Sequence, residues 1–213
     1  MRKTIVFVSV CLCFLSLVWA QQRQLRKEAL KLKPHIDSVT QKNYSSYSPG
    51  HIDIVLDGTR FPDPPNGHQI KVGDYLTNTS SPWSSTKICG TLTANIEGGM
   101  TYPVVLIKTA TNAEVSNKVD YFLTHLLRLN TSTSELGLGK VVEIASCLKL
   151  GDKGTKTIVY AGSAVDAVSW EDYKFTFRIP ANVVVPSKYE VHLTKGRKIL
   201  SNKVVISLRG PIK

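Results

Sequence analysis

Tyr102-Pro103-Val104-Val105-Leu106 and Tyr189-Glu190-Val191-His192-Leu193 stand 87 positions apart, and both lead to one tetrapeptide. It reads Ser116-Asn117-Lys118-Val119 in the first copy and Ser201-Asn202-Lys203-Val204 in the second, 85 positions on. Upstream, Leu92-Thr93-Ala94-Asn95-Ile96 matches Ile179-Pro180-Ala181-Asn182-Val183, again 87 apart. A turn two residues longer in the first copy accounts for the change of offset. The fronts correspond more weakly, with His51-Ile52-Asp53-Ile54-Val55-Leu56 resembling Lys140-Val141-Val142-Glu143-Ile144-Ala145. A repeat of roughly 90 residues is too long for a solenoid unit and has the size of a small β-sandwich.

Working outward, the hydrophobic pattern has period two. Tyr173, Phe175, Phe177 and Ile179 alternate with Lys174, Thr176 and Arg178, and Tyr189, Val191 and Leu193 alternate with Glu190 and His192. Val204, Ile206 and Leu208 continue the pattern, broken on the polar side by Val205. Period two buries one face of a strand and wets the other. Turn signals separate the runs: Pro62-Asp63-Pro64-Pro65-Asn66-Gly67, Gly98-Gly99, Gly151-Asp152-Lys153-Gly154 and Lys195-Gly196. The expected fold is all-β: two tandem immunoglobulin-like β-sandwich domains over residues 34–123 and 124–210, meeting near Thr124-His125.

These domains follow an expected signal peptide, residues 1–20, and a basic arm, residues 21–33. Arg2 and Lys3 precede the mostly apolar stretch Ile5–Trp19, and Val18-Trp19-Ala20 offers a peptidase site. The alternative, an uncleaved anchor, is disfavoured because the apolar run is shorter than the roughly 18–20 residues a span needs. No later segment is apolar enough to span, and the polar C-terminus argues against a lipid-anchor tail. The expectation is a secreted, extracellular protein, free or retained at a cell surface or wall. The chain of 213 residues carries a formal charge of +11, so cleavage after Ala20 would leave 11 − 2 = +9. Cys11 and Cys13 would leave with the signal, while Cys89 and Cys147 remain. In an oxidising compartment such a pair commonly bridges, at about 4 kcal/mol of chain-entropy stabilisation; two buried free thiols are the alternative. Sequons begin at Asn43, Asn78 and Asn130, each in a Ser/Thr-rich stretch, and would mark solvent-facing loops.

Ser48-Pro49-Gly50-His51-Ile52-Asp53-Ile54-Val55-Leu56-Asp57-Gly58-Thr59-Arg60-Phe61 resembles the opening of an IPT/TIG domain. In that family a glycine leads into an alternating strand and a Gly-x-x-Phe-type turn. His35-Ile36-Asp37-Ser38-Val39 fits its first strand and Tyr102 to Val119 its last hairpin, whereas the second copy has Ser146-Cys147-Leu148 in place of the glycine turn. Trp170 to Leu193 also resembles the Kre9/Knh1-type secreted cell-wall repeats. Both resemblances imply an immunoglobulin-like sandwich; the first is compatible with a binding module and the second implies a wall component.

No set of residues points to catalysis, and no enzyme activity, cofactor or metal is expected. His35, His51, His68, His125 and His192 lack helical metal spacing, and His51-Ile52-Asp53 has no further ligand close by. His192, between Val191 and Leu193, reads as a surface strand position. Gly162-Ser163-Ala164 lacks the second glycine of a nucleophile elbow, and the two Gly/Lys-rich loops lack phosphate-loop spacing. Glu171 and Asp172 are adjacent, so on a strand they face opposite ways. What remains is charge. Arg23, Arg26, Lys27, Lys31 and Lys33 lie in the arm, and Lys195, Arg197, Lys198 and Lys203 lie around the last hairpin. The arm reads as a flexible segment, a propeptide cut near Arg26-Lys27, or a docked helix carrying Leu25, Ala29 and Leu32. The clusters suit a polyanion, or serve solubility alone. The leading expectation is a non-enzymatic binding or adhesion protein for an extracellular protein or anionic glycan. A structural wall or matrix component is the alternative, and a small secreted enzyme ranks third. Nucleic acid is not an expected partner, and oligomeric state is not readable.

Overall fold

The computed structural model describes residues 19, 21–23, 33–43, 50–62, 67–93, 95–131 and 136–208. Its strands are β1 (His35–Asn43), β2 (His51–Thr59), β3 (His68–Val72), β4 (Tyr75–Trp83), β5 (Lys87–Thr93), β6 (Met100–Lys108), β7 (Ala113–Glu114) and β8 (Val119–Leu123). Then follow β9 (Leu127–Leu129), β10 (Val141–Ser146), β11 (Lys156–Tyr160), β12 (Ser163–Val165), β13 (Ala167–Trp170), β14 (Lys174–Arg178), β15 (Ser187–Lys195), β16 (Lys198–Ile199) and β17 (Val204–Leu208). No helix among the described residues is long and apolar enough to cross a membrane.

All named strand pairs are antiparallel. In the first half, one layer runs β1-β2-β5-β4 and the other contains β3 and β6 with β7 and β8. In the second half, β13-β14-β10-β9 forms one layer and β12-β11-β15, with β16 and β17, the other. First, second, fifth and fourth strands in one sheet, with third, sixth and seventh in the other, is the immunoglobulin arrangement. The halves differ at the fourth position. In the first, β4 serves both layers: Tyr75 and Leu76 pair with β3, then Thr77 onward pairs with β5. In the second, the same passage is split into β12 and β13, with Asp166 between them. Further along each strand the register slips, at Ser80/Trp83 in β4 and at Ala167/Ser169 in β13.

The alternation read in the sequence lies where period two puts it. Ile52, Ile54, Leu56, Ile70, Val72, Ile88, Leu92, Val104 and Leu106 fill one apolar cluster. Val142, Ile144, Ile158, Tyr160, Phe175, Phe177, Ile179, Val191, Leu193 and Ile206 fill another. Val205, the break in the polar series, is 53% exposed. The weak correspondence of the fronts shifts by one residue. Val142 and Ile144, not Val141, occupy the core positions of Ile52 and Ile54, while Val141 is exposed. Glu143 is then the counterpart of Asp53, so polar falls on polar.

The shared tetrapeptide does the same work twice. In β6, Leu106 N donates to Ser116 Oγ at 2.9 Å, and Ser116 Oγ donates to Asn117 O at 2.8 Å. In β15, Leu193 N donates to Ser201 Oγ at 2.8 Å, and Ser201 Oγ donates to Asn202 O at 2.7 Å. The serine hydroxyl thus stands in for a missing strand carbonyl where the last strand is interrupted. The repeated tyrosine is equally explicit: Tyr102 OH donates to Glu97 O at 3.0 Å and Tyr189 OH to Val184 O at 2.7 Å. A tyrosine opening the sixth strand and bonding back to a carbonyl five residues upstream is the tyrosine corner of immunoglobulin-like sandwiches.

The Gly58-x-x-Phe61 turn also has a physical reason. A Cβ on Gly58 would stand 2.0 Å from His35 O and 2.7 Å from Phe61 Cζ. Only glycine lets β1 approach while Phe61, 3% exposed, folds back beneath the strand.

Candidate functional site

The disulfide expected between Cys89 and Cys147 is not formed: both are free, buried thiols. Strand alternation explains this. On β5, Ile88 and Leu92 face the first cluster, so Cys89 points to the other side of the sheet beside its partners Val55 and Ser80. Cys147 lies on the inner side, within the first cluster. Its thiol pKa is pushed up by burial. Ser146-Cys147-Leu148 is therefore a plug from the second half into the first core. Ser146 Oγ holds its turn, donating to Leu148 O at 2.7 Å, while Gly50 N donates to Cys147 O at 2.7 Å.

This plug belongs to a seam between the halves. Lys149 N donates to Ile96 O and Gly98 N to Lys149 O, both at 3.0 Å. Tyr173 OH donates to Asn95 Oδ1 at 2.5 Å. Lys156, on β11, reaches Glu97 Oε1 at 2.6 Å and also donates to the carbonyls of Leu150 and Asp152. At the centre is His125. Its N donates to Leu200 O at 2.8 Å and its O accepts from Asn202 N at 3.1 Å, so its backbone belongs to the second half. Its ring is fully buried against the first half, where a Cβ on Gly98 would lie 2.5 Å from Nδ1. Among the described residues, neither ring nitrogen has a hydrogen-bond partner. Burial, then the nearby Lys156 charge, holds its pKa down at about 3.

The basic residues divide. Arg26, Lys27 and Lys31 lie outside the described residues. Arg23 sits over the Trp19 ring at 5.3 Å, and the Lys33 carbonyl accepts from Arg60 Nε at 3.1 Å. Lys195, Arg197 and Lys198 are exposed on the β15–β16 hairpin. Lys198 Nζ lies 3.6 Å from the Phe122 ring centroid, which fixes one end of the hairpin to the first half. Lys195 is the cross-strand neighbour of both Lys156 and Lys198. Lys203 stands apart from this group, paired with Glu190 at 2.7 Å.

His192 is half-buried rather than a plain surface residue. Among the described residues its Nδ1 has no partner, and burial, with Lys203 adding to the effect, lowers its pKa. Among the described residues there is no group of three metal-ligating side chains. Of the sequons, Asn130 is exposed in the loop after β9, whereas Asn78 is exposed within strand β4 and not in the expected loop, because its side chain falls on the wet face of the alternation. Asn130 Nδ2 donates to Glu143 Oε1, and this bond is the main reason the Glu143 carboxyl titrates low. Asn43 ends β1, and its side chain lies outside the described residues. The seam residues carry no functional motif in the sequence: Gly98-Gly99 reads as a turn, Thr124-His125 as a boundary, and Ser146-Cys147-Leu148 as a departure from the glycine turn.

No protein-family model and no curated protein sequence matches the chain. Among solved structures, it is similar to the plexin A4 extracellular region at 13% identity and TM-score 0.34, covering 82% of this chain and 18% of that one. It is also similar to Bacteroides ovatus SGBP-B in complex with a mixed-linkage heptasaccharide, at 12% identity and TM-score 0.33, covering 82% of this chain and 45% of that one. A third is domains 5–6 of the S-layer protein SbsC, at 9% identity and TM-score 0.31, covering 84% of this chain and all of that one. The chain thus spans less than half the length of the first two. Likeness at this level carries no argument about what this chain binds.

Proposed function

We propose that the chain is a secreted, non-enzymatic binding protein of two immunoglobulin-like domains of IPT/TIG kind, divided near Thr124-His125, which presents the β15–β16 hairpin to an anionic glycan. The observation that carries this reading is the exposure of Lys195, Arg197 and Lys198 together on one tight hairpin, held by Lys198 over Phe122. A fixed cluster of cations on a chain of net charge +11 raises the local concentration of sulfated or carboxylated polymers and speeds their capture. Two sandwiches locked at a seam give such a hairpin a defined setting.

The test is retention on immobilised heparin at low and high salt, for the wild-type chain and for a Lys195→Glu/Arg197→Glu double variant. The reading expects salt-sensitive retention that the variant loses. Passage of the wild-type chain at low salt, or retention equal in the variant, overturns it.

A further inference from the structure

We propose that His125 makes the seam between the two halves acid-labile, so that a fall from neutral pH to about pH 5 loosens the contact while each sandwich stays folded. The geometry is that of a wedge. The imidazole enters a space that exists because Gly98 and Gly99 have no side chains; Cβ atoms there would lie 2.5 Å from Nδ1 and 3.2 Å from Nε2. With both ring nitrogens unpartnered and the ring wholly buried, the site accepts the neutral ring and has no acceptor for an added proton.

The charged groups on the elements packed around it are Glu97 beside Gly98, Lys149 in the bridge to Glu97, Lys156 on β11, Lys198 ahead of Leu200, and Lys203 after Asn202. Histidine is the side-chain type in this set whose ordinary pKa falls between pH 5 and 8. Glu97 does not offset the proton, because its Oε1 is taken by Lys156 at 2.6 Å.

The sign follows from linkage. The closed seam holds the His125 pKa at about 3, whereas an opened seam returns it to its ordinary 6.5. Around and below pH 6.5 the open form binds more protons, so closure begins to weaken below about pH 7.5, weakens further as pH falls toward 3, and is retained above that range. The loss is about 4-fold at pH 6 and about 30-fold at pH 5.

The test is amide hydrogen exchange on the intact chain at pH 7.5 and pH 5, corrected for intrinsic rates. The amides of Gly98, His125, Lys149 and Asn202 are expected to lose about 30-fold in protection at pH 5, while those of Val104 and Val191, at the centres of the two sandwiches, do not. His125→Gln, which cannot take up the proton, is expected to remove the difference. The proposal is overturned if seam amides stay protected at pH 5, if all four amides and the two core amides weaken together, or if the drop survives in the variant. Should the variant not fold, the wild-type chain decides through the His125 Cε1–H resonance. A neutral shift held to pH 4 is expected, and a midpoint near 6.5 in the folded protein refutes the mechanism.

Discussion

Asn202 holds the backbone of Leu127 at both polar atoms: its Oδ1 accepts from Leu127 N at 2.5 Å and its Nδ2 donates to Leu127 O at 3.1 Å. Asn117 holds Ile36 in the same way, at 2.7 and 3.0 Å. In each half the amide acts as one rung of a β-ladder between the last strand and the first, closing the edge where those strands do not pair. Replacing either asparagine by alanine leaves a part-buried N–H and C=O without partners, and is expected to cost about 2–3 kcal/mol. Asn→Asp removes the donor and sets a carboxylate against the carbonyl, so it also destabilises. Urea midpoints measure both, and an unchanged midpoint for Asn202→Ala would refute the rung.

Gly58→Ala forces a Cβ to 2.0 Å from His35 O, so β1 or Phe61 must move. The expected loss is at least about 2 kcal/mol, in the range of overpacked sites. Gly137→Ala is the control, with its nearest contact at 4.0 Å, and should change stability by no more than about 0.5 kcal/mol. Thermal unfolding of the two variants side by side checks the contrast.

The two tyrosine corners should be energetically alike. Tyr102→Phe and Tyr189→Phe each remove one hydroxyl-to-carbonyl bond and keep the ring, which sets the expected cost near 1 kcal/mol each. Glu97 carries the accepting carbonyl in the first half, so Tyr102→Phe should also raise exchange at seam amides while Tyr189→Phe does not. Equal effects on the seam would separate the corner from it.

Cys89 and Cys147 should react with a thiol reagent only after unfolding, and reducing agent should leave the folded stability unchanged. Cys147→Ser puts a hydroxyl among Ile52, Leu92 and Leu148 in the first cluster and is expected to destabilise by about 1–3 kcal/mol. A mass 2 Da below the reduced value, or rapid labelling of the native protein, would contradict the free, buried thiols.

Local pattern carried much of this protein. The alternation of Phe175 and Phe177, or of Val191 and Leu193, depends only on the two-residue period of a strand, so it can be read without knowing what lies across the core. The duplicated Tyr and Ser-Asn residues are visible because the same residues recur at a nearly constant offset, although their hydrogen bonds are not. Position across the fold was decided elsewhere. Whether Cys89 and Cys147 meet depends on which side of β5 each thiol faces, and the sheet stands between them. The role of Lys156 depends on Glu97, 59 residues earlier, being carried to it by the packing of one half on the other. In the sequence His125 reads as a boundary residue because it lies between the two copies of the repeat. Its environment is made of Gly98, Gly99 and Leu200, brought together only when one half of the chain packs on the other, and burial there is what lowers its pKa.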